Sequence, residues 1–152
     1  MRRKGRHVLT LLLAAVAVGC ASAARPGAAD GWATPREALA AFLAAAQAKD
    51  IDAMSRAWGG ERGSAATYMR RDEREKRLTI MQCHLQHDSS RVLGEYPVDA
   101  GRRGFRVEMT FRGVTRATTM QAAPGPNGRW YLESADIEKT AEFCRIGGVG
   151  KT

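Results

Sequence analysis

The chain has 152 residues, enough for one domain with a hydrophobic core and too few for two ordinary ones. Its formal charge of +8 comes from 24 Lys and Arg against 16 Asp and Glu. Arg2, Arg3, Lys4 and Arg6 crowd the start and the remaining charges are mixed along the chain, so the excess does not single out a nucleic-acid surface.

Met1–His7 reads M-R-R-K-G-R-H, Val8–Val18 is apolar, and Gly19 and Cys20 follow. A cationic start, an apolar stretch of about 7–15 residues and a small residue at the cut are the parts of a secretory signal. With Cys20 directly behind the cut, residues 1–19 resemble a bacterial lipoprotein signal, whose cysteine becomes the lipidated first residue of the mature protein. Gly19 fits that pattern, and Ala17 and Val18 are tolerated variants of it. Ordinary cleavage after Ala21-Ser22-Ala23 is the alternative. A retained membrane-spanning helix needs about 20 apolar residues, and this run is shorter.

The resemblance implies a multiply acylated Cys20, held stably where a single acyl chain would bind reversibly. The expected location is the cell envelope. Ala21 stands where an inner-membrane-retaining aspartate would, which favours an outer membrane where one exists. Without the signal, the 24 basic residues become 20 against 16 acidic, a charge of +4. Export and that mixed balance remove nucleic acid as a partner and leave the membrane, an envelope protein or a small ligand.

Export also bears on the other cysteines. With Cys20 acylated, Cys83 and Cys144 remain, and an even remainder in an oxidising compartment reads as a disulfide. Two buried thiols are the alternative. The two are far apart and lack a C-x-x-C pair, so they do not read as metal ligands.

Residues 20–31, small and polar, read as a tether. Residues 32–146 form the domain, and 147–152 a frayed tail. Thr34-Pro35-Arg36-Glu37 announces a helix: Thr34 caps, Pro35 suits the first position, and Glu37 completes a capping box. Ala38, Leu39, Phe42, Leu43 and Ala46 make an apolar stripe at helical spacing, to about Ala48. Asp50 caps a short second helix with Ile51, Met54 and Trp58, ended by Gly59-Gly60. Glu61–Ala66 reads as a loop. A third helix runs over Asp72–His84, with Leu78, Met81 and Leu85 on one side and Ile80 and Cys83 on the other, so two faces are expected to be buried. The run Thr79–His87 also fits a period of two.

Strand patterns follow. Arg91–Val98 is the first. Phe105, Val107, Met109 and Phe111 alternate with Arg106, Glu108, Thr110 and Arg112, a half-buried antiparallel strand. Val114–Ala123 and Arg129–Ser134 are the third and fourth, separated by the turn residues Pro124–Gly128. Asp136–Cys144 is either a short helix or irregular. The fold class is α+β, with N-terminal helices packed on a curved four-stranded antiparallel sheet.

The segment from Thr34 to Trp58, T-P-R-E-A-L-A-A-F-L-A-A-A-Q-A-K-D-I-D-A-M-S-R-A-W, resembles the opening of the nuclear-transport-factor-2-like superfamily. That resemblance spans roughly Thr34–Ser134. It implies a cone-shaped sheet around the long helix, with a pocket that catalytic members line with an Asp, His or Tyr. Phe42, Trp58, Tyr68, Phe105, Val107, Met109 and Trp130 are the candidate lining, although aromatic residues at the spacing of Phe42, Trp58 and Trp130 more often simply fill a core. The register of the clearest strand sends its ionisable residues, Arg106, Glu108 and Arg112, to the other face, leaving no general base there. Tyr68, Asp72, His84 and His87 are the remaining candidates, and no motif aligns them.

His84-Leu85-Gln86-His87-Asp88 resembles a metal-binding fragment but falls short of three ligands with second-shell support, and reads more simply as a solvated helix end. Gly147–Thr152 mimics the end of a phosphate loop, but Arg145 stands where the motif needs glycine, and the helix it requires is missing. Arg70-Arg71 and Arg102-Arg103 read as solvated loop charges. The expectation is an anchored, extracytoplasmic domain that binds a partner or small ligand or serves an envelope-structural role. It carries no catalytic residue, metal or cofactor. An isomerase- or cyclase-type enzyme using the cone pocket is the alternative.

Overall fold

In the computed structural model, residues 31–148 are described. The expected lipoprotein signal, Cys20, nearly all of the expected tether and the last four residues lie outside them. The architecture is α+β, with helices on one face of a four-stranded antiparallel sheet.

Helix α1 (Pro35–Gln47) opens with both halves of the capping box: Glu37 N donates to Thr34 Oγ1 and Thr34 N to Glu37 Oε2, each at 3.2 Å. Asp50 Oδ1 accepts from Ala53 N at 2.8 Å and starts α2 (Ile51–Ala57). The expected loop that follows is instead a tight hairpin, β1 (Gly59–Gly60) with β2 (Gly63–Ser64), running into the single-turn helix α3 (Ala65–Tyr68). Two-residue strands rich in glycine carry no side-chain periodicity, which is why the pattern hides them.

Helix α4 (Arg71–Leu85) buries Leu78, Cys83 and Leu85, but Ile80 is 55% exposed. Burial of a second face through Ile80 is therefore overturned. Leu78 and Leu85 join the core and Cys83 is bridged to α5, while Ile80 is left exposed to solvent.

The sheet consists of β3 (Ser89–Pro97), β4 (Arg103–Phe111), β5 (Val114–Pro124) and β6 (Trp130–Ala135), in that order. Phe105, Val107 and Met109 point to the helices and are fully buried, while Arg106 and Glu108 lie on the open face. There Arg91 Nη2 of β3 meets Glu108 Oε1 at 2.7 Å. Leu39, Phe42, Leu43, Met54, Leu78 and Leu85 of the helices interlock with Phe105, Val107, Met109, Met120 and Leu132 of the sheet. Each such side chain contributes roughly 1.5–3 kcal/mol when fully buried.

After β6 a 3-10 turn over Ile137–Thr140 leads into α5 (Ala141–Ile146). Cys83 and Cys144 are joined by a disulfide with Cα atoms 4.8 Å apart. Phe143 of α5 is fully buried and meets Phe111 edge-on, ring centroids 5.9 Å apart. Gln86 Nε2 donates to Phe143 O at 2.8 Å, and Gly147 N closes the helix on Phe143 O at 2.9 Å. Gly147 thus belongs to the domain rather than to a frayed tail. At the other terminus Gly31, expected in the tether, is buried and accepts from Arg129 Nη2.

Candidate functional site

The cleft with the richest chemistry lies where α2, the β1–β2 hairpin and β6 converge. Trp58 ends α2. Its backbone bridges to Leu132 of β6, and its indole Nε1 donates to Glu133 O at 3.0 Å. The first tether fixes the main chain and the second aims the indole edge at β6. Behind Trp58 the hairpin folds back so tightly that a Cβ on Gly59 would lie 2.0 Å from Gly63 O, and Gly63 itself has φ of +91°. Only glycine tolerates both demands. The turn carries Glu61 and Arg62 at its tip, both exposed.

The guanidinium of Arg62 lies 4.0 Å from the centroid of the Tyr68 ring, a cation–π contact. Tyr68 stands at the end of α3, whose last carbonyls are gathered by Arg74: Nη1 donates to Ala66 O at 3.3 Å and Met69 O at 3.1 Å. The floor of the cleft comes from the sheet. The pairing of β5 with β6 shifts register between Gln121 and Ala122, leaving Glu133 as the extra residue of a bulge. Bulges re-aim side chains, and here the carboxylate meets Arg102, which precedes β4.

Arg102 grips Glu133 with two bonds, Nε to Oε2 at 2.5 Å and Nη2 to Oε1 at 2.9 Å, and reaches Glu61 Oε1 at 3.2 Å. A planar fork on a carboxylate is the strong form of such a pair. Hydrogen bonding to Glu133, then its charge, pushes the guanidinium further above its ordinary value, so Arg102 stays charged and exchanges no proton. Arg102 is thus engaged with Glu133 and Glu61, its side chain only 22% exposed, and the expectation of a solvated loop charge fails for it. The signal was invisible locally because its partners stand 31 and 41 residues away. The hollow they enclose measures about 330 Å³.

The candidate lining residues divide. Trp58 and Tyr68 border this cleft. Phe42, Phe105, Val107 and Met109 do not line a pocket: each is fully buried in the apolar core, because the helices sit directly on the sheet and fill the space a cone would leave open. Trp130 packs half-buried against the edge of that core.

The candidate acid–base groups are dispersed. Asp72 pairs with Arg70 in solvent at 3.3 Å. His84 Nδ1 donates to Ile137 O at 3.0 Å. His87 is buried, 6% exposed, and its Nδ1 donates to Leu85 O at 2.8 Å, so this is no solvated helix end. Asp88 Oδ2 accepts from Arg112 N at 2.7 Å. Each member of the histidine-rich fragment therefore turns to a different partner. Among the described residues no three His, Cys, Asp or Glu side chains are grouped to hold a metal ion.

A second hollow of about 250 Å³ runs between α1 and β3, over Leu39, Leu43 and Val92. Of its polar lining, Arg36 Nη2 donates to Glu95 Oε2 and Gln47 Nε2 to Asp88 O, both at 2.9 Å, while His87 and Ser90 border the hollow without joining helix to strand. This hollow carries one ion pair and no tryptophan, tyrosine or phenylalanine side chain, whereas the first cleft joins two aromatic rings to two guanidinium groups and two carboxylates.

Comparison with protein-family models, with curated proteins and with solved structures returned no match.

Proposed function

We propose that this is an exported, lipid-anchored domain of the cell envelope that binds a ligand or partner at the Trp58–Arg102 cleft and performs no catalysis. The observation that carries the non-catalytic reading is the filled interior. Where a cone-pocket enzyme needs an ionisable group facing substrate, this chain has Phe42, Phe105, Val107 and Met109 in contact with one another and with the helices. The Cys83–Cys144 disulfide supports an oxidising location. The cationic start, apolar run and Cys20 support the anchor. The kinship with the nuclear-transport-factor-2-like superfamily belongs to the same proposal, and the helix-on-sheet architecture is compatible with it.

Two measurements test this reading. Cys20→Ser should abolish incorporation of labelled fatty acid, and undiminished labelling refutes the anchor. A photoreactive amino acid in place of Tyr68 should give adducts in native membranes, while one in place of Thr119, exposed on the open face of the sheet, should give none. Adducts only from position 119 move the binding surface away from the cleft.

A further inference from the structure

We propose that the Trp58–Arg102 cleft takes an uncharged saccharide, a reading that rests on the cleft being the binding site. Charge argues first. The lining holds two guanidinium groups, Arg62 and Arg102, and two carboxylates, Glu61 and Glu133. An anion entering to reach the arginines meets both carboxylates, and a cation meets both arginines. The ligand that suffers neither repulsion is neutral.

Hydrogen-bonding capacity argues second. Arg102 spends Nε and Nη2 on Glu133 and Glu61, and its Nη1 makes no hydrogen bond among the described residues. The carboxylates beside it keep lone pairs beyond those contacts. A donor therefore sits next to acceptors, and the Arg102 and Glu133 planes are held by each other, with the exposed Glu61 carboxylate beside them. Neighbouring hydroxyls on a sugar ring offer the complement, since each hydroxyl is both donor and acceptor. Because the Arg102–Glu133 pair is already formed, the ligand does not have to immobilise it.

The aromatic rings argue third. Trp58 is held by its indole nitrogen and its backbone, and Tyr68, 36% exposed, carries the Arg62 guanidinium over its ring. Rigid amphipathic rings beside polar forks suit the apolar C–H face of a pyranose, whose rim is polar. The volume of about 330 Å³ lies at the small end of ligand clefts, which run roughly 300–1,000 Å³. It suits one or two sugar rings rather than a long chain engaged along its length.

The test follows the indole N–H resonance of Trp58, assigned through Trp58→Phe, in the isotope-labelled full-length chain held in a non-glycosidic detergent. The probes are chitotetraose and maltotetraose as neutral saccharides, with inorganic phosphate and spermidine as charged ones. A neutral saccharide should shift the resonance saturably. Tyr68→Ala, at an exposed position, should keep the unfolding midpoint and weaken binding about tenfold. Arg102→Gln should abolish the shift. No response to either saccharide overturns the proposal, as does a response that survives both substitutions. A response to phosphate or spermidine alone also overturns it, while the cleft stands as the binding site. If no probe acts and the membrane adducts map to position 119, the binding-site reading falls as well.

Discussion

At the Phe111 end of β4 the molecule is closed by a disulfide, the buried Phe143 ring and a side-chain bond from Gln86 to a carbonyl of α5, whereas at the Arg102 end it is closed by hydrogen-bonded ions and an aromatic edge around an open cleft. The first end excludes water and spends its groups on each other. The second end keeps polar groups in fixed positions with capacity left over. Covalent and apolar closure suits an end that only has to stay shut. An ion pair that is partly solvated adds little stability, so its residues make better sense as a means of positioning than as a means of holding the fold.

That contrast predicts a gradient of effects. The largest should follow removal of the bridge. Replacing both Cys83 and Cys144 by Ala should lower the unfolding free energy by about 4 kcal/mol, from the loop of 61 residues, as measured by urea denaturation followed by circular dichroism. A loss well under half of that would mean α5 is held mainly by Phe143 and its neighbours.

Gly59→Ala comes next. With Gly63 O 2.0 Å from the added Cβ, the hairpin must open, at a cost of about 2 kcal/mol, and the indole resonance of Trp58 should move. An unchanged midpoint together with an unmoved resonance would show that the hairpin does not support the cleft. The smallest global effect should come from Arg102→Gln, which lowers the urea midpoint only slightly yet redistributes Trp58 and Glu133 locally. A large drop in midpoint would erase the distinction between the two ends.

Local chemistry made much of this fold readable from the chain itself. The capping box at Thr34 and Glu37, the Asp50 cap and the alternation through Phe105–Phe111 depend on neighbours a few residues away, and all appear as their patterns indicate. The pairing of Cys83 with Cys144 was reachable by counting cysteines. What stayed hidden depends on distant partners. Arg102 looks like a surface charge until the bulge at Glu133 brings a carboxylate to it. Ile80 looks like a core residue until α5 turns out to reach Cys83 and leave Ile80 uncovered. Phe42, Phe105, Val107 and Met109 are apolar whether they line a cavity or fill one, and only the spacing of the layers decides.

The chain's three tryptophans have a common address. Trp130 begins β6, Trp32 exchanges backbone hydrogen bonds with it at 3.0 and 2.8 Å, and Trp58 bridges to Leu132 two residues further along. Intrinsic fluorescence of this protein is therefore a gauge of one strand edge and is blind to the disulfide end. An emission-monitored melting curve that runs ahead of the circular dichroism curve would reveal that edge fraying by itself, and superposition of the two would report a single cooperative transition. The same optical signal would make ligand entry visible in unlabelled protein, with Trp58 as reporter and Trp32 and Trp130 as its immediate background.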